Sequence, residues 1–109
     1  MDFIIPYNQE TILNIARKIG YKVLGEQENG EYNIVRDLSR GYRYPRFHIY
    51  IKKDEENNRL LFSLHLDQKQ PSYGKETAHS GEYDTDIVKN EAERIKSILD
   101  TKESRVYKF

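Results

Sequence analysis

Two stretches of strict alternation, residues 46–52 and 59–67, constrain this chain more than any other feature. In the first, Phe47, Ile49 and Ile51 alternate with Arg46, His48, Tyr50 and Lys52. In the second, Leu60, Phe62, Leu64 and Leu66 alternate with Leu61, Ser63, His65 and Asp67. A period of two sends successive side chains to opposite faces of a strand. The polar segment Asp54 to Asn58 joins the two stretches as a turn. Together they predict an antiparallel pair that buries one face and leaves the other polar.

The rest of the chain supplies partners for this pair. Asn8 reads as a helix N-cap, with Tyr7 before it stapled onto Ile12. Ile12, Ile15, Ala16 and Ile19 form one apolar stripe at i, i+3, i+4 and i+7, and Gly20 ends the helix. A hairpin follows, with strands 21–26 and 31–38 around Asn29-Gly30, a strong turn signal. Ser39 to Pro45 reads as a loop, broken by Gly41 and Pro45.

Beyond Asp67, residues 68–83 show no periodicity, a length that in compact domains marks a functional or disordered loop. A last helix is expected from Asp84 or Thr85 to about Lys102, with Val88, Ala92, Ile95 and Leu99 as its stripe. The expected fold is therefore α+β, ordered α-β-β-β-β-α. It is a four-stranded antiparallel meander with both helices packed on one sheet face. Residues 1–103 form the single domain and 104–109 a tail, disordered or added as an edge strand. The order is similar to that of double-stranded-RNA-binding domains, α-β-β-β-α. The similarity is one of topology only, because Lys89, Arg94 and Lys96 are interleaved with Glu91 and Glu93.

Composition narrows the function classes. The 18 basic and 18 acidic side chains cancel, so overall charge steers the chain toward neither nucleic acid nor membrane. There is no cysteine, which removes disulfides and thiolate metal sites. No segment reads as a signal peptide or a transmembrane helix, and a cytoplasmic location is expected.

Three groups of residues carry the candidate chemistry. If the two alternating strands pair, Arg46, His48 and Tyr50 lie beside Ser63, His65 and Asp67 on the polar face. Imidazole and carboxylate suit Zn²⁺ or another divalent cation, and an imidazole can act as a general base. The plain alternative is a solvated sheet face. The second group is the segment from Ala78 to Asp84. Its His79 would join His48, His65 and Asp67 if the long loop folds back over the sheet. The three histidines are then the catalytic candidates, and all four residues the candidate metal ligands. Its plain alternative is a loop that caps the last helix.

The third group is the stretch from Arg36 to Lys53. Arg40, Arg43 and Arg46 interleave there with Tyr42 and Tyr44, a pattern suited to phosphates and stacked bases. Its plain alternative pairs these arginines with acids of the last helix, among them Glu91. The expected function is a non-enzymatic binding module for nucleic acid or another anionic partner, without a cofactor. The contacts would come from Arg40, Arg43, Tyr44, Arg46, His48, Tyr50, Ser63, His65 and Asp67. A small metal-dependent hydrolase or nuclease is the second reading. A self-associating interaction domain, using residues 106–109 as an added strand, is the third.

Overall fold

The computed structural model describes residues 1–7, 9–68 and 85–100, with the backbone of residues 81 and 82. Among the described residues, six strands and two α-helices follow one another, with a short 3-10 turn at Glu55–Asn57. They are β1 (Asp2–Pro6), α1 (Ile12–Ile19), β2 (Lys22–Glu26), β3 (Tyr32–Ser39), β4 (Tyr42–Asp54), β5 (Arg59–Asp67), β6 (Gly81–Glu82) and α2 (Asp86–Leu99). The class is α+β. The sheet runs β1-β5-β4-β3-β2, and β6 pairs with the last two residues of β5. All its pairings are antiparallel.

The alternating strands pair as their pattern dictates. Phe47 faces Leu66, Ile49 faces Leu64 and Ile51 faces Phe62 across the β4–β5 ladder. These six are buried, with Phe3 and Ile5 of β1, Ile34 of β3 and Leu60 of β5. The buried side chains of both helices complete the cluster: Ile12, Ile15, Ala16 and Ile19 from α1, and Val88, Ala92 and Ile95 from α2. A core leucine or isoleucine of this kind contributes roughly 2–5 kcal/mol relative to alanine.

The expected four-stranded meander is corrected at its N-terminal edge. Residues 2–6 are a strand, because Phe3 and Ile5 alternate with exposed Asp2 and Ile4 and pair with Phe62 and Leu60. The helix therefore starts later than an Asn8 cap implies. Its N-cap is Thr11, whose Oγ1 accepts from the Asn14 amide at 3.1 Å. Asn8 lies outside the described residues. Gly20 closes α1 at φ +84°, the left-handed value that favours glycine. The expected packing of both helices on one sheet face holds only in part. They touch each other, α1 lying near β2 and α2 near β1 and β5.

Two turns differ in detail. Around Asn29-Gly30 only Gly30 takes positive φ, and its amide donates to Gln27 O at 2.9 Å. The turn is thus the longer kind that ends in a left-handed glycine. Residues 39–45 are not a loop. Ser39 pairs with Tyr42 around Arg40-Gly41, and β4 runs on through Pro45. The ladder is irregular between Asp37 and Ser39, where the missing amide of Pro45 costs least. The last helix starts at Asp86, with Thr85 as its N-cap. Most of residues 68–83, and residues 101–109, lie outside the described residues.

Candidate functional site

The β4–β5 register assembles a polar cluster. Arg46 lies opposite Asp67, His48 opposite His65, and Tyr50 opposite Ser63. These positions alternate with the buried Phe, Ile and Leu and so share the other face of the sheet. Strand β3 adds Asn33 opposite Tyr50, Val35 opposite His48 and Asp37 opposite Arg46.

Asp67 is the centre of the cluster. Its Oδ2 lies 3.3 Å from His48 Nδ1 and accepts from Arg46 Nε at 3.4 Å. Its Oδ1 lies 3.6 Å from His65 Nε2. The other nitrogen of His48, Nε2, lies 3.0 Å from Asn33 Oδ1. The His48 ring stacks on Tyr50, with centroids 4.6 Å apart, and lies tilted against His65 at 5.0 Å. The side chains of His48, His65 and Asp67 are only 12, 11 and 19% exposed, which puts their charges in a poorly solvated place. One ligating atom from each of these three lies within 4.8 Å of the other two.

Burial alone would raise the Asp67 carboxyl. The His48 contact, the nearby imidazoles and the Arg46 hydrogen bond outweigh burial and hold it below the ordinary range. For His65 the balance goes the other way. Burial pushes the imidazole below its ordinary value, although the Asp67 carboxylate opposes this. At neutral pH, therefore, Asp67 is an anion and His65 a neutral imidazole.

Beside this cluster lies a surface cleft of about 350 Å³. Its walls are Lys22 and Leu24 of β2, Val35 and Asp37 of β3, and Arg43, Tyr44 and Arg46 of β4. Three cations thus face one carboxylate, and Lys22 lies 4.0 Å from that carboxylate. The Arg46 guanidinium also sits over the Tyr44 ring, 4.7 Å from its centroid. Arg46 joins the two features, since it lines the cleft and touches Asp67.

A buried carboxylate sits on the helical side of the sheet. Glu91 of α2 is 5% exposed. Its Oε2 accepts from Tyr21 Oη at 2.7 Å and from Arg94 Nη2 at 2.8 Å. Its Oε1 accepts from Arg36 Nη1 and from Arg94 Nε, both at 2.9 Å. Arg94 Nη2 also donates to the Ile19 carbonyl, so the network ties α2 to α1 and β3. Burial would raise the Glu91 carboxyl, but the hydrogen bonds from Arg94 and Tyr21 and the two guanidinium charges hold it below its ordinary range. Burial, reinforced by the Glu91 charge, drives the Tyr21 hydroxyl far above its ordinary value.

The positions expected from the sequence divide accordingly. Arg46, His48, Tyr50, Ser63, His65 and Asp67 are brought together, and Arg43 and Tyr44 lie in the adjoining cleft. Arg40 is exposed in the β3–β4 turn. Arg36 points to the helical side and pairs with Glu91, as the plain alternative for the Arg/Tyr stretch has it. His79 and residues 106–109 lie outside the described residues. Asn33, Lys22 and Asp37 were not anticipated. Their signal was the pairing of β3 with β4, which sets Asn33 and Asp37 on the His48 face. Among the described residues no helix is long and apolar enough to cross a membrane. Comparison of the chain with known protein families, with curated proteins and with solved structures gives no match.

Proposed function

We propose that this domain binds anionic ligands in the β2–β3–β4 cleft, with single-stranded nucleic acid as the leading ligand. The observation that carries this reading is the lining of the cleft: Lys22, Arg43 and Arg46 against the single carboxylate of Asp37. The chain as a whole is neutral, so this is a local imbalance rather than a general basic character. The volume falls at the lower end of ordinary ligand sites, which run from about 300 to 1,000 Å³. That suits a nucleotide-sized group better than a duplex. Tyr44 supplies an aromatic ring in the same wall, and a ring beside guanidinium groups is the usual chemistry for holding an unstacked base and its phosphate.

The test is fluorescence anisotropy of a labelled single-stranded oligoribonucleotide across a range of salt concentrations. With up to three phosphate contacts, log K should fall with log salt at a slope of about −2. Replacing Arg43 or Arg46 by alanine should weaken binding for every sequence and make the slope shallower by about 0.7 each. Absence of binding at low salt, or binding indifferent to salt, contradicts the proposal.

A further inference from the structure

We propose that His48, His65 and Asp67 form a binding site for one borderline divalent cation of the Zn²⁺ type, with Asn33 orienting His48. The site is separate from the anion cleft and does not depend on it.

The distances favour a cation over a plain ion pair. A carboxylate closed onto a cationic donor reaches about 2.7–2.9 Å. Glu91 does so in this same molecule, with contacts of 2.7–2.9 Å. Asp67 does not: it stands 3.3 Å from His48 Nδ1 and 3.6 Å from His65 Nε2. Around a tetrahedral Zn²⁺ with bonds of about 2.1 Å, neighbouring donor atoms sit about 3.4 Å apart. The His48 separation to Asp67 Oδ2 and the His65 separation to Asp67 Oδ1 are each close to that edge, and one donor atom from each of the three residues lies within 4.8 Å of the other two.

The hydrogen-bond pattern points the same way. Both nitrogens of His48 face oxygen atoms. In the metal-bound site His48 would donate its Nε2 hydrogen to Asn33 Oδ1 and present its Nδ1 lone pair to the ion. A cation between that lone pair and the carboxylate satisfies both. Fixing one imidazole nitrogen by an acceptor so that the other can ligate is the recurring second partner of metal-bound histidine. Two imidazoles and one carboxylate make a donor set suited to Zn²⁺ rather than to Mg²⁺ or Ca²⁺, which prefer oxygen. Three protein ligands leave a fourth position for water or an oxyanion.

The test is titration of the metal-stripped full chain with Zn²⁺ against a chromophoric chelator, and with Co²⁺ by visible absorption. One equivalent should bind, and Co²⁺ should give the intense bands of a four-coordinate ion. His48→Ala, His65→Ala and Asp67→Asn should each weaken Zn²⁺ binding at least about tenfold. Asn33→Ala should weaken it about tenfold while Asn33→Asp retains it. Metal-free unfolding midpoints, compared with the unaltered chain, separate lost ligation from lost fold. The unaltered chain alone can overturn the proposal, by taking up no Zn²⁺ at one equivalent or by showing only weak six-coordinate Co²⁺ bands. Zn²⁺ binding that survives in the His48→Ala/His65→Ala double variant, or in Asp67→Asn, overturns it as well.

Discussion

Two carboxylates, Glu91 and Asp67, sit on opposite sides of one sheet, each surrounded by positively charged or imidazole groups. Their geometry differs, and the proposed binding role falls to the more loosely held of the two. Glu91 accepts four hydrogen bonds of 2.7–2.9 Å and is almost fully buried. Asp67 has three neighbours at 3.3–3.6 Å and keeps 19% of its side chain exposed. A satisfied carboxylate in a sealed place fixes neighbouring elements, and removing it leaves buried charge unpaired. A loosely held one beside solvent has capacity left for a ligand.

The largest effect should come from Glu91. Replacing it with glutamine leaves Arg36 and Arg94 facing a neutral amide where α2 meets α1 and β3. The expected loss is about 3 kcal/mol, read from the urea midpoint at constant slope. A loss no larger than that of Asp67→Asn would break the contrast.

Acid should erase the same difference. The folded Glu91 carboxyl is held below its ordinary value of 4.5. Its contribution is therefore complete above that value and is lost as pH falls through the depressed one. The gap in stability between the unaltered chain and Glu91→Gln should stay level from about pH 7 to about pH 5 and narrow as pH falls below 4.5, as followed by urea unfolding. A gap that stays constant over that range would show that Glu91 acts through shape and not through charge.

Asp67→Asn should cost about 1 kcal/mol in the absence of metal, because its contacts, at 3.3–3.6 Å, are longer than those of Glu91. The same urea measurement reads it. The smallest effect belongs to Arg46, which shares Asp67 with the histidines and also lines the cleft. Arg46→Gln removes a competing positive charge. It should raise affinity for Zn²⁺ alone by a few-fold, a change of about 0.5–1 kcal/mol. Oligonucleotide affinity should fall in the same variant. Movement of both affinities in one direction would mean that the cleft and the cluster are a single site.

The cluster was legible because strands 46–52 and 59–67 alternate without interruption and are joined by a short polar turn. Register then follows from the hydrophobic pattern, since a one-residue slip would turn Phe47, Ile49 and Ile51 out to solvent. Strand β1 was not legible. Five residues give little periodicity, and the partner that makes them a strand, residues 59–63, is more than fifty positions away. Pro45 and Gly41 suggested a loop, but a hairpin needs its left-handed glycine at only one position, and an irregular ladder tolerates the proline.

Glu91 had a signal that went unused. It follows Val88 by three positions and precedes Ile95 by four, which puts a carboxylate on the apolar stripe of α2. Likewise Arg36 continues the buried side of β3 after Tyr32 and Ile34. A charge on an apolar stripe of each element implies that the two meet, and Arg36 and Glu91 do, at 2.9 Å. The Asp67 distances, by contrast, depend on how the rings of His48, Tyr50 and His65 stack, which no one-dimensional pattern encodes.

The most direct test of the contrast is thermal unfolding of three proteins, the unaltered chain, Asp67→Asn and Glu91→Gln, each with and without Zn²⁺. A ligand bound only by the folded state stabilises it, by about 2.7 kcal/mol at a hundredfold excess over the dissociation constant. Without metal, Glu91→Gln should melt well below the other two. With Zn²⁺, the unaltered chain and Glu91→Gln should both rise in Tm, and Asp67→Asn should not. Equal metal-free losses in the two variants, together with no rise of the unaltered chain on adding Zn²⁺, would contradict the division of roles between Asp67 and Glu91.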